Sequence, residues 1–405
     1  MTPIEELIQE LCPDGVEFKR LGEFAELVRG NGMPKSVLVD EGVGAIHYGQ
    51  IYTHYGVWAT ETLSFVAPDT AVKLAKADPG DLIITNTSEN IEDVGKAVAW
   101  LGTEQIVTGG HATVIKHGQD AKFLAYWFAS AEFYVQKRKL ATGTKVIDVS
   151  AKQLATVRIP VPPLKVQREI VRILDKFTQL EAELEAELEA RRAQLAYYRG
   201  AALSGDEPVT QTVVLGDIAE FRYGFTDKAA DTGTHRFLRI TDINPQGKLS
   251  ADGAKFVSPG NDASEYVVQP GDLLMARTGA TYGKTMLVSS GEPAVYASFL
   301  IRIRFKENRM LPAFYWHYAQ SAAYWEQANS LVSTAGQPQF NANALKRVRV
   351  PVPALEQQAA IVRTLDKFDA LVNDISIGLP AELNARRKQY EYYRDRLLTF
   401  KELAA

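Results

Sequence analysis

The sequence predicts an α+β protein in which two compact α/β domains alternate with two repeated helical regions. The chain has 405 residues, which is enough for two or three hydrophobic cores. One apolar, proline-led segment occurs twice. The stretch before each copy contains short runs rich in β-branched residues, bounded by glycine, proline and aspartate turns, which is typical of α/β domains.

Composition describes an ordinary globular chain, with 46% hydrophobic and 23% charged residues. The net charge is −4, so nucleic-acid binding would need basic residues gathered locally. Cys12 is the only cysteine, which excludes an internal disulfide and fits a reducing compartment. The N-terminus MTPIEELIQEL lacks the features of a signal peptide, and no apolar run approaches about 18 residues. We therefore expect a cytoplasmic protein with no membrane segment.

The repeated segment reads IPVPPLKVQREIVRILDKF at 159–177 and VPVPALEQQAAIVRTLDKF at 350–368, with 12 of 19 positions identical. Further on, ARRAQLAYYR at 190–199 and ARRKQYEYYR at 385–394 share seven of ten positions. The offset grows from 191 to 195, so the second copy has gained four residues, or about one helical turn. The gain falls near LEAELEAELEA at 180–190, which itself advances in steps of four.

The stretches in front of the two copies also correspond, more faintly. Matching pairs are LGEFAELVRG (21–30) with LGDIAEFRYG (215–224), PGDLIITNT (79–87) with PGDLLMART (270–278), VGK (94–96) with YGK (282–284), and FLAYWFAS (123–130) with FYWHYAQS (314–321). We therefore divide the chain into a first domain with a short N-terminal helix, a helical repeat, a second domain and a second helical repeat, at 1–158, 159–204, 205–349 and 350–405. Runs such as LIITNT, KFVSP and FLIRIRF predict strands, and one helix is expected in each domain, near 122–138 and 312–328.

Both helical repeats have the apolar spacing of a coiled coil. Prolines 160, 162 and 163 block a helix until about Leu164. Alternating steps of three and four then carry Ile170, Ile173, Phe177, Leu180 and Leu184, and in the second copy Ile361, Thr364, Phe368, Leu371 and Ile375. A first helix is expected over about 165–203, and the second is expected to break at Gly378-Leu379-Pro380.

The surface of the first helix is acidic, because Glu181, Glu183, Glu185, Glu187 and Glu189 lie within nine residues. Such a surface repels phosphates, so the helices are interpreted as a spacer or a protein-binding surface. Each helical repeat ends in an amphipathic Tyr-Tyr-Arg, at 197–199 and at 392–394. These residues either pack in the coil or form a docking site for a partner. The candidates for coil packing or subunit docking are Phe177, Leu180, Leu184, Tyr198, Phe368, Leu371 and Tyr393.

The sequence favours a non-catalytic chain that binds no cofactor or metal. RTGATYGKT at 277–285 is one residue short of the P-loop spacing and is followed by a strand-like segment where a P-loop needs a helix. NPQG at 244–247 lacks the aromatic residue of an adenine-methyltransferase Asn-Pro-Pro-aromatic motif. The PGD pairs are interpreted as turns, and the six histidines show no metal-ligand pairing.

Polar loop residues in both domains are candidates for DNA contacts, because Arg can grip guanine bidentately and Thr, Asn and Gln can contact other base edges. In the first domain they are Tyr48, Gln50, Tyr52, Asn86, Thr87, Ser88, Asn90, Lys96, Thr144 and Lys145. In the second domain they are Arg239, Thr241, Arg277, Thr278, Thr281, Tyr282, Lys284, Gln337 and Gln339. The alternative for each residue is an ordinary exposed loop side chain without a ligand.

Two variable domains that alternate with two copies of (I/V)PVPxLxxQxxIVxxLDKF, each followed by ARRxQxxYYR, resemble the specificity subunit of a type I restriction-modification system. The resemblance covers essentially the whole chain. It implies that each domain is a target-recognition domain for one half of a bipartite double-stranded DNA site. It also implies that the two helical repeats pair as an antiparallel coiled coil that separates the domains.

The same resemblance implies several partners. Two modification (methyltransferase) subunits dock on the coiled coil, and restriction (translocase/nuclease) subunits can join. S-adenosylmethionine, ATP and Mg would be bound by those subunits and not by this chain. The N-terminal TPIEELIQELCPDGVEF would pack beside the C-terminal YYRDRLLTF.

Other classes of protein stay open on the sequence alone. A stand-alone restriction or modification enzyme is disfavoured because its motifs are missing. A non-catalytic coiled-coil adaptor without a DNA role is disfavoured because it does not need two divergent polar-loop domains. A specificity subunit of a related methyltransferase-only system fits equally well.

The four-residue run suggests that helix length sets the distance between the two half-sites. Deleting residues 184–187 would shorten the helix by roughly 6 Å and rotate its ends by about 40°. We expect a shorter preferred spacer with unchanged half-sites, measured by methylation sequencing of DNA from cells that carry the deletion. An altered half-site would contradict this ruler hypothesis.

Overall fold

The computed structural model describes residues 2–204, 211–250, 252–289, 292–306, 309–333, 336–374 and 376–404, without the side chains of residues 261 and 262. The chain forms two compact units. Unit 1 comprises Met1–Glu183 and Asn384–Ala405, and unit 2 comprises Leu184–Leu383. Two predictions lie outside the described residues. One is the coil position Ile375, and the other is the start of the second domain at residues 205–210.

Unit 1 contains two five-stranded sheets. The first has the strand order Ala25–Arg29, Ala112–His117, Leu82–Thr85, Ala97–Trp100 and Trp58–Ala59. The second has the order Leu38–Val39, Ser64–Val66, Val43–Ile46, Ile106–Thr108 and Ala75–Ala77. Two-stranded pairs join Phe18–Arg20 to Arg158–Pro160 and Thr87–Ser88 to Ile147–Asp148. The helices are Pro3–Leu11, Leu21–Phe24, Tyr48–Thr53, Pro68–Ala71, Ala121–Phe128, Ala131–Leu140 and Ala151–Leu154.

Unit 2 repeats this plan with fewer strands. A four-stranded sheet has the order Ala219–Tyr223, Leu300–Phe305, Leu273–Ala276 and Thr285–Leu287. A three-stranded sheet has the order Phe256–Val257, His235–Leu238 and Ala294–Tyr296. A two-stranded pair joins Gln211–Val214 to Arg349–Val352. The helices of the domain part are Leu215–Ile218, Pro312–Tyr318, Ala322–Leu331 and Ala342–Leu345. The strands predicted from LIITNT, KFVSP and FLIRIRF are confirmed.

The single helix predicted near 122–138, and its counterpart near 312–328, are each two helices. In unit 1 the break falls before Ser130, whose hydroxyl accepts a hydrogen bond from Phe133 N and so starts a new helix. In unit 2 Ser321 caps the second helix in the same way, through Tyr324 N. A capping serine inside an apolar run is the physical reason why one predicted helix becomes two.

The helical repeats follow the prediction. The central helix spans Leu164–Leu203, and the second repeat is divided into Leu355–Asn373 and Leu379–Leu398. The break lies where Gly378 was expected to cause it. A Cβ added at Gly378 would lie 2.5 Å from the carbonyl oxygens of Ala370 and Leu371, so the close return of the chain requires glycine.

Within unit 1 the central helix pairs with the C-terminal helix. Phe177 stacks on Tyr393 with ring centroids 5.5 Å apart, and Glu181 pairs with Arg387 at 2.6 Å. From Phe177 to Glu181 the residue numbers increase along the central helix, while those of their partners decrease from Tyr393 to Arg387. The two segments therefore run antiparallel. The N-terminal helix joins them in the same core, as predicted, and its Glu5 pairs with Arg396 at 3.1 Å.

Each helical repeat is attached to its domain by one fully buried glutamine. The side chain of Gln167 accepts from Asp120 N at 3.0 Å and donates to the carbonyl of Pro162 at 2.7 Å. Gln358 occupies the same place in the second repeat: it accepts from Leu311 N at 2.8 Å and donates to Pro353 O at 2.8 Å. One side chain thus ties the proline entry, the helix and the domain together in each unit.

Replacing Gln167 by alanine should destabilise unit 1 by about 2–3 kcal/mol, because buried backbone groups lose their partners. The measurement is the urea-unfolding free energy of the full chain. Gln179→Ala is the matched control, because Gln179 is an exposed glutamine on the same helix. Equal stabilities of the two variants would contradict the anchoring role.

Candidate nucleic-acid interface

The loop that follows one central strand has the same backbone hydrogen bonding in both units. In unit 1 the amide of Asn86 donates to the carbonyl of His111 at 2.8 Å. In unit 2 the amide of Arg277 donates to the carbonyl of Phe299 at 3.0 Å. The two positions match in sequence, so one backbone frame carries an asparagine in one unit and an arginine in the other.

Asn86 turns into the core of unit 1 and is fully buried. Its Nδ2 donates to Val149 O at 2.8 Å, and its Oδ1 accepts from the hydroxyl of Thr113 at 2.8 Å. Both ends of the amide therefore hold the sheet and loop together. In the structure Asn86 supports the loop, and its contact with DNA stays a prediction.

The short helix Tyr48–Thr53 carries three predicted contacts. Gln50 is used internally, because its Oε1 caps the start of its own helix and its Nε2 donates to the hydroxyl of Ser64 at 2.6 Å. Tyr48 and Tyr52 lie edge to face with centroids 6.1 Å apart and are half-buried. The hydroxyl of Tyr52 donates to the carbonyl of Thr87, which joins this helix to the predicted reading loop.

Thr87 and Ser88 are mostly buried, each 9% exposed. The hydroxyl of Thr87 forms a hydrogen bond of 2.9 Å with Nδ1 of His111, whose ring lies 4.8 Å from that of Tyr48. His111 is a residue of this site that the polar loop pattern of the sequence did not predict. Its signal is the Gly-Gly-His order at 109–111, because the two glycines allow the backbone before the histidine to lie close to Asn31 and Met33.

The rest of the unit 1 loop is held by two lysines. Lys96 is half-buried, its Nζ donates to the carbonyl of Tyr52 at 3.3 Å, and burial lowers its pKa. Lys137 donates to the carbonyls of Glu92 and Val94 at 2.7 and 2.9 Å, and burial lowers its pKa to about 8. Asn90 is exposed at the tip of this loop.

Thr144 and Lys145 are exposed on the hairpin that leads into the strand Ile147–Asp148. This strand pairs antiparallel with Thr87–Ser88. The structure therefore brings the hairpin to the same edge as Tyr52 and Lys96, although these residues are far apart in sequence. This edge of unit 1, formed by Tyr48, Tyr52, Asn90, Lys96, Thr144 and Lys145, is named surface 1.

In unit 2 the side chain of Arg239 is occupied. Its Nη2 and Nε lie 2.8 and 3.1 Å from the carboxylate of Asp242, which is buried, and Nη2 also donates to Gly253 O at 2.9 Å. The structure therefore gives Arg239 a role in fixing the 240–253 segment, and its contact with DNA stays a prediction. Thr241, between the two partners, is exposed.

Arg277 lies between two aromatic rings. Its guanidinium carbon is 5.2 Å from the ring centre of Tyr223 and 5.3 Å from that of Phe299. Its Nε donates to Ser298 O at 3.1 Å. In the part of the chain that the structure describes, its terminal nitrogens Nη1 and Nη2 have no hydrogen-bond partner.

The loop around Arg277 is closed by Thr278 and Gln339. Thr278 is buried, and its hydroxyl donates to Pro338 O at 3.3 Å and accepts from Nε2 of Gln339 at 2.9 Å. Both residues therefore hold the loop, and their contacts with DNA stay predictions. Gln337, two residues before Gln339, is exposed beside the same loop.

The glycine-punctuated turn 279–284 completes this edge of unit 2. Thr281 donates to Thr278 O at 3.4 Å, and the hydroxyl of Tyr282 donates to Oδ1 of Asn329 at 2.8 Å. Lys284 is half-buried, and among the described residues no hydrogen bond of its ammonium is found. The side chains that remain accessible, named surface 2, are Thr241, Arg277, Thr281, Tyr282, Lys284 and Gln337.

The candidate coil residues form reciprocal pairs. The Phe177–Tyr393 stack of unit 1 corresponds in unit 2 to Phe368 and Tyr198, whose ring centroids are 5.6 Å apart. The aromatic end of each repeat thus packs on the phenylalanine of the other. Both tyrosines remain partly exposed, at 37% and 44%.

The predicted leucines divide between the coil and the surface. Leu184 packs against the core of unit 2. Leu180 and Leu371 are 51% and 40% exposed, so they contribute little to the packing of the described residues. They are the candidates for partner docking on the helices.

A charged cluster lies beneath the helix Leu355–Asn373 in unit 2. Nε2 of His317, which is fully buried, lies 2.8 Å from Asp366, and Lys248 lies 2.6 Å from Asp369. Burial lowers the pKa of His317, against the opposing effect of the Asp366 hydrogen bond. In unit 1 the matching position holds Tyr126, which donates to a carboxylate without carrying a titratable charge near neutral pH.

Three features of the described ranges bear on catalysis and membrane binding: metal-ligand clusters, long apolar helices and the cysteine. No group of three or more His, Cys, Asp or Glu side chains is placed to hold a metal ion there. Within the same ranges, no helix is long and apolar enough to cross a membrane. Cys12 is half-buried and burial raises the pKa of its thiol, which makes it a poor nucleophile.

Comparison with known proteins identifies the family. The model of the type I restriction modification DNA specificity domain matches residues 13–190 and 209–385. The chain therefore belongs to the family of type I restriction-modification specificity subunits. These are the DNA-recognition subunits of such systems and are not catalytic by themselves.

Relatives support the family along the whole length. A putative type I restriction enzyme specificity subunit of Haemophilus influenzae is 29% identical over 95% of this chain and 96% of that protein. The EcoR124I/EcoR124II specificity subunit of Escherichia coli is 33% identical, over 60% of this chain and 63% of that protein.

Solved structures show the same fold. A chain of a type I R-M system, described for its complex assembly and conformational transition, aligns with a TM-score of 0.62 and 17% identity over 95% of this chain and 98% of that chain. The type I S subunit from M. genitalium aligns with a TM-score of 0.52 and 14% identity, over 95% of this chain and 96% of that chain.

The buried histidine predicts a pH-dependent stability of unit 2. Because the pKa of His317 is lower in the folded chain than the usual value of about 6.5, the unfolded state binds more protons as pH falls below that value. Stability should therefore drop between about pH 6.5 and pH 5, and the urea midpoint of His317→Gln should drop less. His54→Gln, at an exposed position, is the control. Identical pH profiles of wild type and His317→Gln would contradict the assignment.

Proposed function

We propose that each unit reads one half of a bipartite double-stranded DNA site, unit 1 through surface 1 and unit 2 through surface 2. The supporting observation is the shared loop frame at Asn86 and Arg277. The same backbone frame is accompanied by different accessible side chains in the two units, such as Asn90 in unit 1 and Arg277 in unit 2, which is what two readers of different sequences require. Lys96, Lys145 and Lys284 add positive charge locally in a chain with a net negative charge.

We also propose how this chain works with its partners. Two modification subunits bind the helical repeats, where Leu180 and Leu371 are exposed, and restriction subunits join this assembly. S-adenosylmethionine is then bound by the modification subunits, and ATP with Mg²⁺ by the restriction subunits. The complex acts in the cytoplasm, where its DNA substrate is found.

The decisive experiment is methylation sequencing of DNA from cells that co-express this chain with its modification subunit. The expected result is a bipartite motif with one modified adenine in each half, on opposite strands. Restriction of unmodified DNA after adding the restriction subunit separates a complete system from a methyltransferase-only one. An assembled complex that neither methylates nor binds DNA in a salt-dependent manner would favour the adaptor.

The side chain of Arg277 should read one base pair of the second half-site. Arg277→Ala should relax the preference at that base pair, because a bidentate contact contributes about 1–3 kcal/mol of discrimination. The first half-site should stay unchanged in the methylation motif.

The matched control for this variant is Arg222→Ala. Arg222 lies on a strand of the same unit and is ion-paired with Glu265. Equal losses at both half-sites after Arg277→Ala would show that Arg277 contacts phosphate or supports the fold.

A further inference from the structure

We infer that Tyr223 and Phe299 are positioning residues that hold Arg277 ready to read a guanine in the second half-site. The inference rests on the proposed function of unit 2 as a DNA reader. It adds two aromatic residues that the polar pattern of the sequence did not select. The reason lies in how the guanidinium is held and in what it leaves free.

The two rings restrain the plane of the guanidinium. A cation is attracted to the face of an aromatic ring within about 6 Å of its centre, and here both distances, 5.2 and 5.3 Å, meet that limit. The bond from Nε to Ser298 O fixes the rotation within that plane. A long, flexible side chain is therefore held in one arrangement before any ligand arrives, which reduces the entropy lost on binding.

The free edge of Arg277 matches one base. Its Nε is used, while Nη1 and Nη2 have no partner among the described residues. Two adjacent donors on a flat fork fit the N7 and O6 acceptors that guanine presents in the major groove. An arginine that only stabilised the protein would use these donors internally, as Arg239 does with Asp242.

The rings themselves are anchored and exposed. The hydroxyl of Tyr223 accepts from Ala342 N at 3.1 Å, and the carbonyl of Phe299 accepts from Arg277 N at 3.0 Å. Even so, Tyr223 and Phe299 are 42% and 50% exposed, among the large apolar side chains that the core does not cover. Their placement is explained by what they do to the arginine, since their burial contributes little to stability.

Unit 1 has no such clamp. By sequence, Arg29 matches Tyr223 and Asn86 matches Arg277. By backbone bonding, His111 matches Phe299. Unit 1 therefore has neither aromatic ring of the pair at the matching positions except the imidazole of His111, and the side chain of Asn86 is buried. The clamp is therefore a property of unit 2 alone. Disturbing it should change one half of the recognised site and leave the other intact.

The test is in vitro methylation by the complex with its modification subunit, on duplexes that carry each base pair at each position of the site. Phe299→Leu removes a ring and keeps the backbone bond. It should lower the preference for one guanine pair in the second half-site by about three- to fivefold, the size of a stacking contact at a partly exposed site. Phe299→Tyr keeps the ring and should keep the preference.

Two further comparisons make the result specific. Tyr266→Leu removes a ring that stacks on a different arginine, Arg222, at 5.2 Å, and should leave the guanine preference unchanged. Tyr223→Phe and Tyr223→Leu both lack the hydroxyl, so a difference between them reports the ring alone. The two Tyr223 variants test the clamp in place of Phe299→Leu if that variant does not assemble with the modification subunit.

The outcomes separate the inference from the proposed function. One outcome is that the wild-type complex methylates a bipartite site while Phe299→Leu and Tyr223→Leu keep the wild-type preference for the guanine pair. This result would overturn the clamp and leave the proposed function in place. A general loss at every position would also overturn it, because it would show a structural effect. If wild type methylates no bipartite site, the proposed function fails and the inference fails with it.

Discussion

One buried glutamine in each repeat connects the helix to the domain, and the rest of each unit depends on that connection. Gln167 and Gln358 join three backbone segments that would otherwise carry unpaired polar groups in the interior. A shorter or apolar side chain would leave those groups without water or partner. The same residue appears in both copies of the segment, although the residues directly beside it differ, Val166 and Arg168 in one copy and Gln357 and Ala359 in the other. The bonds of this glutamine fix the direction in which each helix leaves its domain.

Above this anchor the two units use one frame for different surfaces. The strand, the loop bonds and the capping serines are shared, while the side chains on the loop are not. In unit 1 an amide turns inward and lysines support the loop. In unit 2 an arginine lies between two aromatic rings. The backbone bond at this position is made by the main-chain amide in both units, so the bond itself does not depend on which side chain is present.

Much of this arrangement follows from sequence periodicity. The repeat, the proline entry, the central helix and the break at Gly378 are local or periodic features, and the structure has them at the predicted places. The site was harder to predict because burial is a tertiary property. A polar loop residue looks the same in sequence whether it bonds the core, as Asn86 and Thr278 do, or faces outward, as Lys145 does. Phe299 and Tyr223 were missed because aromatic residues are usually assigned to the core.

The chain order of the two units has a consequence for biosynthesis. Unit 2 is one continuous stretch, Leu184–Leu383, so all of it is synthesised before residues 384–405. Unit 1 begins at the N-terminus but needs Asn384–Ala405, where Tyr393 and Arg396 meet Phe177 and Glu5. The first part of the protein to be translated is thus the last to complete its core. Until residues 384–405 are synthesised, the nascent first unit carries an unpaired apolar helix face, and exposed apolar surface of this kind favours aggregation.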